Sequence, residues 1–219
     1  MQRYGVSDYP VKEGTAWKAG PHTFLCGDVL VLEESGMLDR HIPQVASVYT
    51  DPPWNTGNAK MFFGFAGREA PRTFDAFLAG LVAMLKRKCP TGAVGIEMGM
   101  KSMGRLRAIL DLYGAKTWGV GVTTYGNPSR PLSVWFGTFG LQQRVVNIPA
   151  GLHGKKALEF GVATVAGESL LDPCCGDLTF SMAAIRHGVP AVYGTELIPA
   201  KLASGLQKLA KLYPVEQIG

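Results

Sequence analysis

Two consecutive prolines, Pro52 and Pro53, constrain the fold of this chain more than any other feature. They follow Asp51 and the apolar, β-branched run of residues 45–50, a pattern that predicts a buried strand. Proline donates no backbone hydrogen bond and fixes φ, so the chain must leave the sheet at this point. The strand therefore ends in a rigid polar turn made of Asp51, Pro52, Pro53 and Trp54.

Short apolar runs and helix-length amphipathic segments alternate along the rest of the chain. The apolar runs predict strands at residues 22–30, 93–98, 116–125, 132–139, 168–171 and 191–194. The amphipathic segments predict helices at residues 74–88, 102–113, 155–166, 178–187 and 199–212. This alternation indicates an α/β fold, with a mostly parallel sheet and helices on both faces. The 219 residues are enough for one such domain, residues 1–219.

Polar residues stand at four of the predicted strand ends: Gly27-Asp28, the turn at Asp51, the segment from Asp172 to Gly176, and Gly194-Thr195-Glu196. Each alone is typical of an ordinary turn. In an open α/β sheet, however, ligands bind beyond the carboxyl ends of the strands. Because all four lie at such ends, we expect them to form one binding site.

The turn at Asp51 has the hydrogen-bond acceptors and the flat aromatic surface that a planar amine needs for binding. Its carboxylate and the proline carbonyls are hydrogen-bond acceptors, and Trp54 offers a flat aromatic face. An exocyclic amine on a nucleobase has two N–H donors and a ring that stacks, and such a base must leave a duplex to be reached. Accepting its hydrogens makes the nitrogen a better nucleophile. The alternative is a rigid turn in which Trp54 belongs to the core.

The net charge and the cysteine content limit the classes of function that this chain can have. The net charge of +5 permits a nucleic-acid partner without requiring one. Cys26 and Cys89 are isolated and Cys174 and Cys175 are adjacent, so we expect reduced thiols and no metal site. No apolar stretch is long enough to span a membrane, and the first twenty residues lack the apolar core of a signal peptide. These features favour a cytoplasmic protein.

The motifs resemble those of a known family. Asp51-Pro52-Pro53-Trp54 resembles the D-P-P-[WY] catalytic motif of S-adenosylmethionine-dependent methyltransferases that act on adenine N6 in DNA, and residues 171–179 (LDPCCGDLT) resemble their glycine-rich cofactor motif. Three further elements are similar to theirs: residues 25–28 (LCGD), 152–160 (LHGKKALEF) and 192–197 (VYGTEL). The catalytic motif precedes the cofactor motif, as in the permuted β class. The resemblance spans about residues 23–212.

The resemblance implies a Rossmann-like methyltransferase fold, S-adenosyl-L-methionine as cofactor, and DNA as partner. It implies methylation of adenine N6 by Asp51, Pro52, Pro53 and Trp54, as in restriction–modification in a bacterial or phage-type host. The cofactor residues it implies are Asp28 near the adenine, Glu196 on the ribose, and, around the methionine part, Asp172, Pro173, Cys174, Gly176, Thr179, His153 and Lys156. A homodimer or a partner subunit stays open.

Two residues depart from the family pattern. Asp177 and Leu178 stand where the cofactor motif usually has Ser-Gly. Without the second glycine the backbone approaches a ligand less closely, and Asp177 adds negative charge near the expected methionine carboxylate. Both changes bear on cofactor affinity. Ala157 also replaces the proline that usually follows the lysine at position 156.

Little of the chain is left over for recognising a target sequence. Residues 55–72 and 126–130 are predicted loops, and their candidate nucleic-acid contacts are Asn55, Lys60, Arg68, Arg72 and Arg130. Phe62, Phe63 and Phe65 are interleaved as stacking or wedge residues. Cations and aromatic rings contact phosphates and bases without reading sequence, so we expect a short or relaxed target. The alternative is a solvated surface loop.

Three other functions remain open at this point. The same fold acts on cytosine N4, although that catalytic motif more often begins with serine. The D-P-P-W motif also occurs in RNA adenine-N6 methyltransferases. The third alternative is a non-catalytic scaffold subunit, which the altered cofactor loop at Asp177 and Leu178 favours and the intact turn at Asp51 disfavours.

Overall fold

The strands of the computed structural model, which describes residues 8–124 and 131–218, join one sheet. They are β1 (Ala16–Ala19), β2 (His22–Cys26), β3 (Ser47–Thr50), β4 (Ala93–Gly99), β5 (Lys116–Thr124), β6 (Pro131–Thr138), β7 (Ser169–Asp172), β8 (Ala191–Glu196) and β9 (Val215–Ile218). The helices are α1 (Val29–Glu34), α2 (Met37–His41), α3 (Thr56–Phe65), α4 (Phe74–Lys88), α5 (Met103–Leu112), α6 (Gly154–Val165), α7 (Thr179–Arg186) and α8 (Pro199–Leu209).

The sheet is mixed. Its order is β5-β6-β4-β3-β7-β8-β2-β1-β9. The central strands β4, β3, β7, β8 and β2 pair in parallel, whereas β5, β6, β1 and β9 add antiparallel pairings at the two edges. The prediction of a mostly parallel sheet is therefore corrected. The antiparallel pairs β1–β2 and β5–β6 arise because few residues connect the two strands of each pair, and strands joined by so short a link pair antiparallel.

Helices cover both faces of the sheet, as predicted. Val48 and Leu171 belong to a core cluster shared with α1, α2, α4 and α5. Their neighbours Tyr49 and Leu170 belong to a second cluster shared with α6, α7 and α8. Side chains alternate across a strand, so adjacent residues of β3 and of β7 supply opposite faces.

The structure differs from the sequence prediction at two early segments. The predicted strand over residues 22–30 ends at Cys26, and α1 begins three residues later. Asp28 causes this change, because its carboxylate accepts the Leu30 N–H at 3.0 Å and caps α1. Part of the predicted loop over residues 55–72 is helix α3, which Asn55 caps by accepting the Asn58 N–H at 2.9 Å. Strands β1 and β9 and helix α2 were not predicted.

Strand register brings the four polar strand ends predicted from the sequence to one edge of the sheet. Thr50 pairs with Ile96, Asp172 with Gly194, and Cys26 with Glu196. The residues that follow these strands therefore lie at the same carboxyl edge of the sheet. In the described part of the chain, no helix has the length and apolar character needed to cross a membrane.

His22 is a buried histidine at the start of β2. Its Nδ1 accepts the Val192 N–H at 3.1 Å, and its ring meets the Tyr213 ring edge-on with centroids 5.0 Å apart. An imidazole that accepts at Nδ1 is neutral, and burial lowers the pKa of His22 to about 4.

We predict that this histidine weakens the fold in acid. Between pH 6.5 and 4 the unfolded chain binds a proton that the folded chain does not, so the free energy of unfolding falls by up to about 3 kcal/mol. Denaturant titrations at pH 7.5 and 5 are expected to show about 2 kcal/mol of this loss. In His22→Asn, which keeps an acceptor for Val192, the pH dependence flattens, whereas the same change at exposed His187 leaves it unaltered. An unchanged slope in His22→Asn would contradict the prediction.

Candidate functional site

A cavity of about 300 Å³ lies at the carboxyl edge of the parallel strands. It is lined by residues that follow β2, β3, β7 and β8, together with side chains of α3, α4 and α8. Among the predicted site residues, those that line it are Asp28, Asp51, Pro53, Pro173, Cys174, Gly176, Thr179 and Glu196. The four strand ends singled out in the sequence thus meet at one cavity.

Other predicted site residues lie outside this lining. Asp172 is fully buried behind it, with its carboxylate 3.5 Å from the Ser181 hydroxyl, and burial raises its pKa well above the usual value. Pro52 is buried. His153 and Lys156 are exposed where α6 begins, and His153 bridges to Thr124 at the end of β5. The structure therefore does not bring His153 or Lys156 to the cavity.

Trp54 fixes the orientation of Asp51. Its indole N–H donates to Asp51 Oδ1 at 2.6 Å. The ring is half-buried against the core and lies over Gly99, where a Cβ atom would come within 2.9 Å of the Trp54 Cβ. Burial raises the pKa of Asp51 to about 6, against the hydrogen bond from Trp54 and the charge of Lys201, which both lower it. Trp54 is thus both a packing residue and a partner of the acid.

Glu196 ties two turns together at the end of β8. Its Oε2 accepts the Gly176 N–H at 2.8 Å and its Oε1 accepts the Ile198 N–H at 2.7 Å. Burial raises its pKa, although these two hydrogen bonds and the charge of Lys201 oppose that change. The buried carboxyl group therefore holds the turn after β7 against the end of β8.

The loop after β7, which was predicted to hold the cofactor, packs against α8. Leu178 adopts the left-handed conformation at φ 67° and is fully buried. A Cβ at Gly205 would lie 2.4 Å from the Leu178 Cγ, so only glycine leaves room for this side chain. Asp177 accepts hydrogen bonds from Lys208 at 2.5 Å and from Thr179 at 2.8 Å. Partial burial raises the pKa of Asp177, but these hydrogen bonds bring it below its usual value. The added negative charge is thus paired with Lys208.

Two of the predicted nucleic-acid contacts, Arg68 and Arg72, form ion pairs within the chain. Arg72 lies 3.5 Å from the Asp28 carboxylate and 3.7 Å from Glu34. Arg68 pairs with Glu13 at 2.5 Å and lies over the Phe63 ring. Both arginines are therefore paired within the chain, and their contact with nucleic acid stays a prediction.

The other predicted contacts have different surroundings. Asn55 caps α3, and Lys60 is exposed on that helix. Arg130, with the rest of the predicted loop at residues 126–130, lies outside the described residues. On α3, Phe62 and Phe63 line the cavity, whereas Phe65 is 57% exposed. Lys60 is therefore a predicted cation that lies on α3 and is exposed to solvent.

Lys201 and Glu97 were not among the residues predicted from the sequence. Lys201 lines the cavity, and its ammonium lies 4.7 Å from the centroid of the Phe62 ring. Its signal was a cation in the first turn of α8, where the helix dipole disfavours positive charge. Glu97 is a carboxyl group inside an otherwise apolar strand, and it is 1% exposed. A buried charged residue in such a run is itself informative.

Known proteins resemble this chain in structure rather than in sequence. No family model matches it, and no curated protein does. M1.HpyAVI in complex with SAM is 14% identical with a TM-score of 0.62, over 87% of this chain and 100% of that chain. The cytosine-N4-specific PvuII DNA methyltransferase is 14% identical with a TM-score of 0.63, over 92% and 95%.

A third solved structure is TTHA0409, a putative DNA modification methylase from Thermus thermophilus, complexed with S-adenosyl-L-methionine. It is 16% identical with a TM-score of 0.58, over 87% of this chain and 94% of that chain. At such identities the likeness shows the fold. The chain therefore has a Rossmann-like methyltransferase fold, as the sequence motifs predicted.

We predict that Gly205→Ala destabilises the protein, because the new methyl group displaces Leu178 from beneath α8. Overpacking of this kind costs about 1–3 kcal/mol, more than the same substitution gains in helix propensity. Gly104→Ala is the matched control, since a Cβ at Gly104 of α5 meets no atom within 4 Å. Thermal unfolding of both variants measures the difference. Equal stability of the two would show that the loop moves freely away from α8.

Proposed function

We propose that this chain transfers a methyl group from S-adenosyl-L-methionine to the exocyclic N6 amine of adenine in DNA. One observation carries the proposal: the carboxylate of Asp51 lines the same cavity as Glu196 and the turn from Pro173 to Gly176. A hydrogen-bond acceptor for an amine and a candidate cofactor cradle thus share one space. The methyltransferase-like fold supports the proposal.

The cavity fits the proposed cofactor. Each Glu196 oxygen accepts one backbone N–H, which leaves lone pairs for ribose hydroxyls. Phe62, Phe63 and Phe77 supply apolar surface for a flat base, with the Asp28 carboxylate beside them. Carboxylates favour a positively charged ligand. When bound, S-adenosyl-L-methionine supplies an activated methyl group on its sulfonium.

Asp51 is the proposed partner of the target amine. Its Oδ1 is held by the Trp54 indole, so its remaining acceptor positions serve an incoming N–H. The Pro52 carbonyl supplies a second acceptor, and neither proline has an N–H to compete. Accepting both hydrogens would keep the nitrogen lone pair available to form a bond to the methyl carbon as the methyl–sulfur bond of a bound sulfonium breaks, and the amine proton would then pass to water. Positioning and electrostatics carry this chemistry.

Cytosine N4 is the second candidate target. Cytosine carries the same exocyclic amine beside a ring nitrogen, and the solved structures that resemble this chain include the cytosine-N4-specific PvuII DNA methyltransferase. An aspartate rather than a serine at position 51 favours adenine, by the resemblance in the sequence.

The deciding experiment follows labelled methyl groups from the cofactor into nucleic acid. The purified protein is incubated with single-stranded DNA, duplex DNA and RNA, and the products are digested to nucleosides and identified by mass. N6-methyldeoxyadenosine from DNA supports the proposal, and label in N4-methylcytosine or in RNA favours an alternative. Cofactor binding without transfer to any substrate favours the scaffold.

We predict that Asp51→Asn lowers the rate of methyl transfer at least about 100-fold, the lower range for loss of one hydrogen-bonding group that stabilises a transition state. Calorimetry is expected to show nearly unchanged cofactor affinity, since Glu196 and the turn after β7 remain. Asp111→Asn, the same change at an exposed site on α5, serves as the control. Full turnover by Asp51→Asn would exclude Asp51 as the amine acceptor.

The wild-type rate is expected to depend on pH in the same experiment. Because burial raises the pKa of Asp51 to about 6, its carboxylate is lost as the pH falls through that value. Transfer therefore declines on the acid side with a midpoint near 6, while Asp111→Asn keeps that midpoint.

We predict that Glu196→Gln weakens cofactor binding by about 1–3 kcal/mol, roughly 5- to 150-fold in Kd. The amide removes the charge and places an N–H₂ group against one of the two backbone donors. Calorimetry measures the affinity, with Glu216→Gln on the exposed edge strand β9 as control. Thermal unfolding separates lost binding from lost structure. Unaltered affinity would move the ribose contact to another residue.

A further inference from the structure

Tyr49 and Glu97 form a buried pair that the proposed reaction does not use. The Tyr49 hydroxyl donates to Glu97 Oε1 at 2.5 Å, and both side chains are 1% exposed. Glu97 Oε2 is buried and has no hydrogen-bond partner among the described residues. A carboxylate with one donor in such surroundings is costly, so the group is expected to keep a proton.

Two glycines make room for this pair. A Cβ at Gly95 of β4 would lie 2.5 Å from the Tyr49 ring, and one at Gly161 of α6 would lie 2.1 Å from the Tyr49 hydroxyl. Any other residue at either position would push the ring or the hydroxyl aside. Glycines on two separate elements therefore permit the hydrogen bond between Tyr49 and Glu97.

The pair lies beside Asp51. Thr50 of β3 pairs with Ile96 of β4 in parallel, so Asp51 and Glu97 are the next residues on neighbouring strands. Neighbouring strands are about 4.8 Å apart. Negative charges on buried neighbouring residues oppose each other's ionisation, and the charge of Asp51 accordingly raises the pKa of Glu97.

The surroundings decide which carboxyl group is charged. Asp51 receives the Trp54 N–H, faces the cavity, and experiences the positive charge of Lys201. Glu97 receives only the Tyr49 hydroxyl among the described side chains. Burial raises its pKa well above the usual value, and the charge of Asp51 adds to this, together with that of Asp172 on β7.

We infer that Glu97 is a positioning residue that holds a proton beside Asp51, so that the negative charge of the two carboxyl groups lies on Asp51. Tyr49 fixes the protonated group in place. The consequence for catalysis rests on the proposed function: Asp51 then presents one full charge to the amine, undivided between two acids. The protonation itself is independent of any activity.

Carbon-13 NMR of protein labelled at the glutamate carboxyl carbons tests the inference. At pH 7 one resonance is expected at the position of a protonated acid, absent from Glu97→Gln and retained in Glu168→Gln, a change at a site away from the cavity. Tyr49→Phe removes the donor and must raise the pH at which this resonance titrates, which identifies Glu97 even where Glu97→Gln does not fold. Ionisation of every glutamate by pH 7 overturns the inference.

The pH profile of methyl transfer provides the second readout. Because glutamine imitates the neutral acid, Glu97→Gln is expected to leave the acid midpoint of Asp51 where it is in the wild type. If Glu97 were ionised, its removal would lower that midpoint by about one pH unit. Absence of transfer with a protonated Glu97 resonance would contradict the proposed function and leave this inference standing.

Discussion

Burial of several carboxyl groups at one edge of the sheet is the constraint on which the rest of this structure depends. Asp51, Asp172 and Glu196 end or follow three adjacent parallel strands, and Glu97 lies in a fourth. Removing a carboxylate from water costs several kcal/mol unless donors or cations compensate. The backbone supplies donors to Glu196, an indole supplies one to Asp51, and burial raises the pKa values of Glu97 and Asp172 well above their usual range.

The distribution of negative charge among these four carboxyl groups determines which ligands the cavity can bind. Lys201 is the cation whose charge acts on both Asp51 and Glu196. The aromatic rings of α3 and α4 form apolar walls around the charged groups. Between apolar walls an electrostatic interaction is stronger than in water. A few fixed charges are therefore enough to orient a ligand in the cavity. A flat, positively charged ligand fits this combination better than an anion.

The sequence predicted the centre of the fold better than its periphery. Asp51, Pro52 and Pro53 end a strand because of their own covalent structure, so this end was predictable from local chemistry. Helices α1 and α3 were not predicted because Asp28 and Asn55, their caps, are also common turn residues. The roles of Arg68 and Arg72 depend on Glu13 and Asp28, distant partners in the sequence that no local pattern specifies.

Helix α8 explains how the loop after β7 accommodates Asp177 and Leu178. Lys201, Gly205 and Lys208 are spaced by four and three residues and so share one face of this helix. Lys201 faces the cavity, Gly205 leaves space for Leu178, and Lys208 pairs with Asp177. The Asp-Leu pair of this loop therefore depends on two matched residues of one neighbouring helix, Gly205 for the Leu178 side chain and Lys208 for the Asp177 charge.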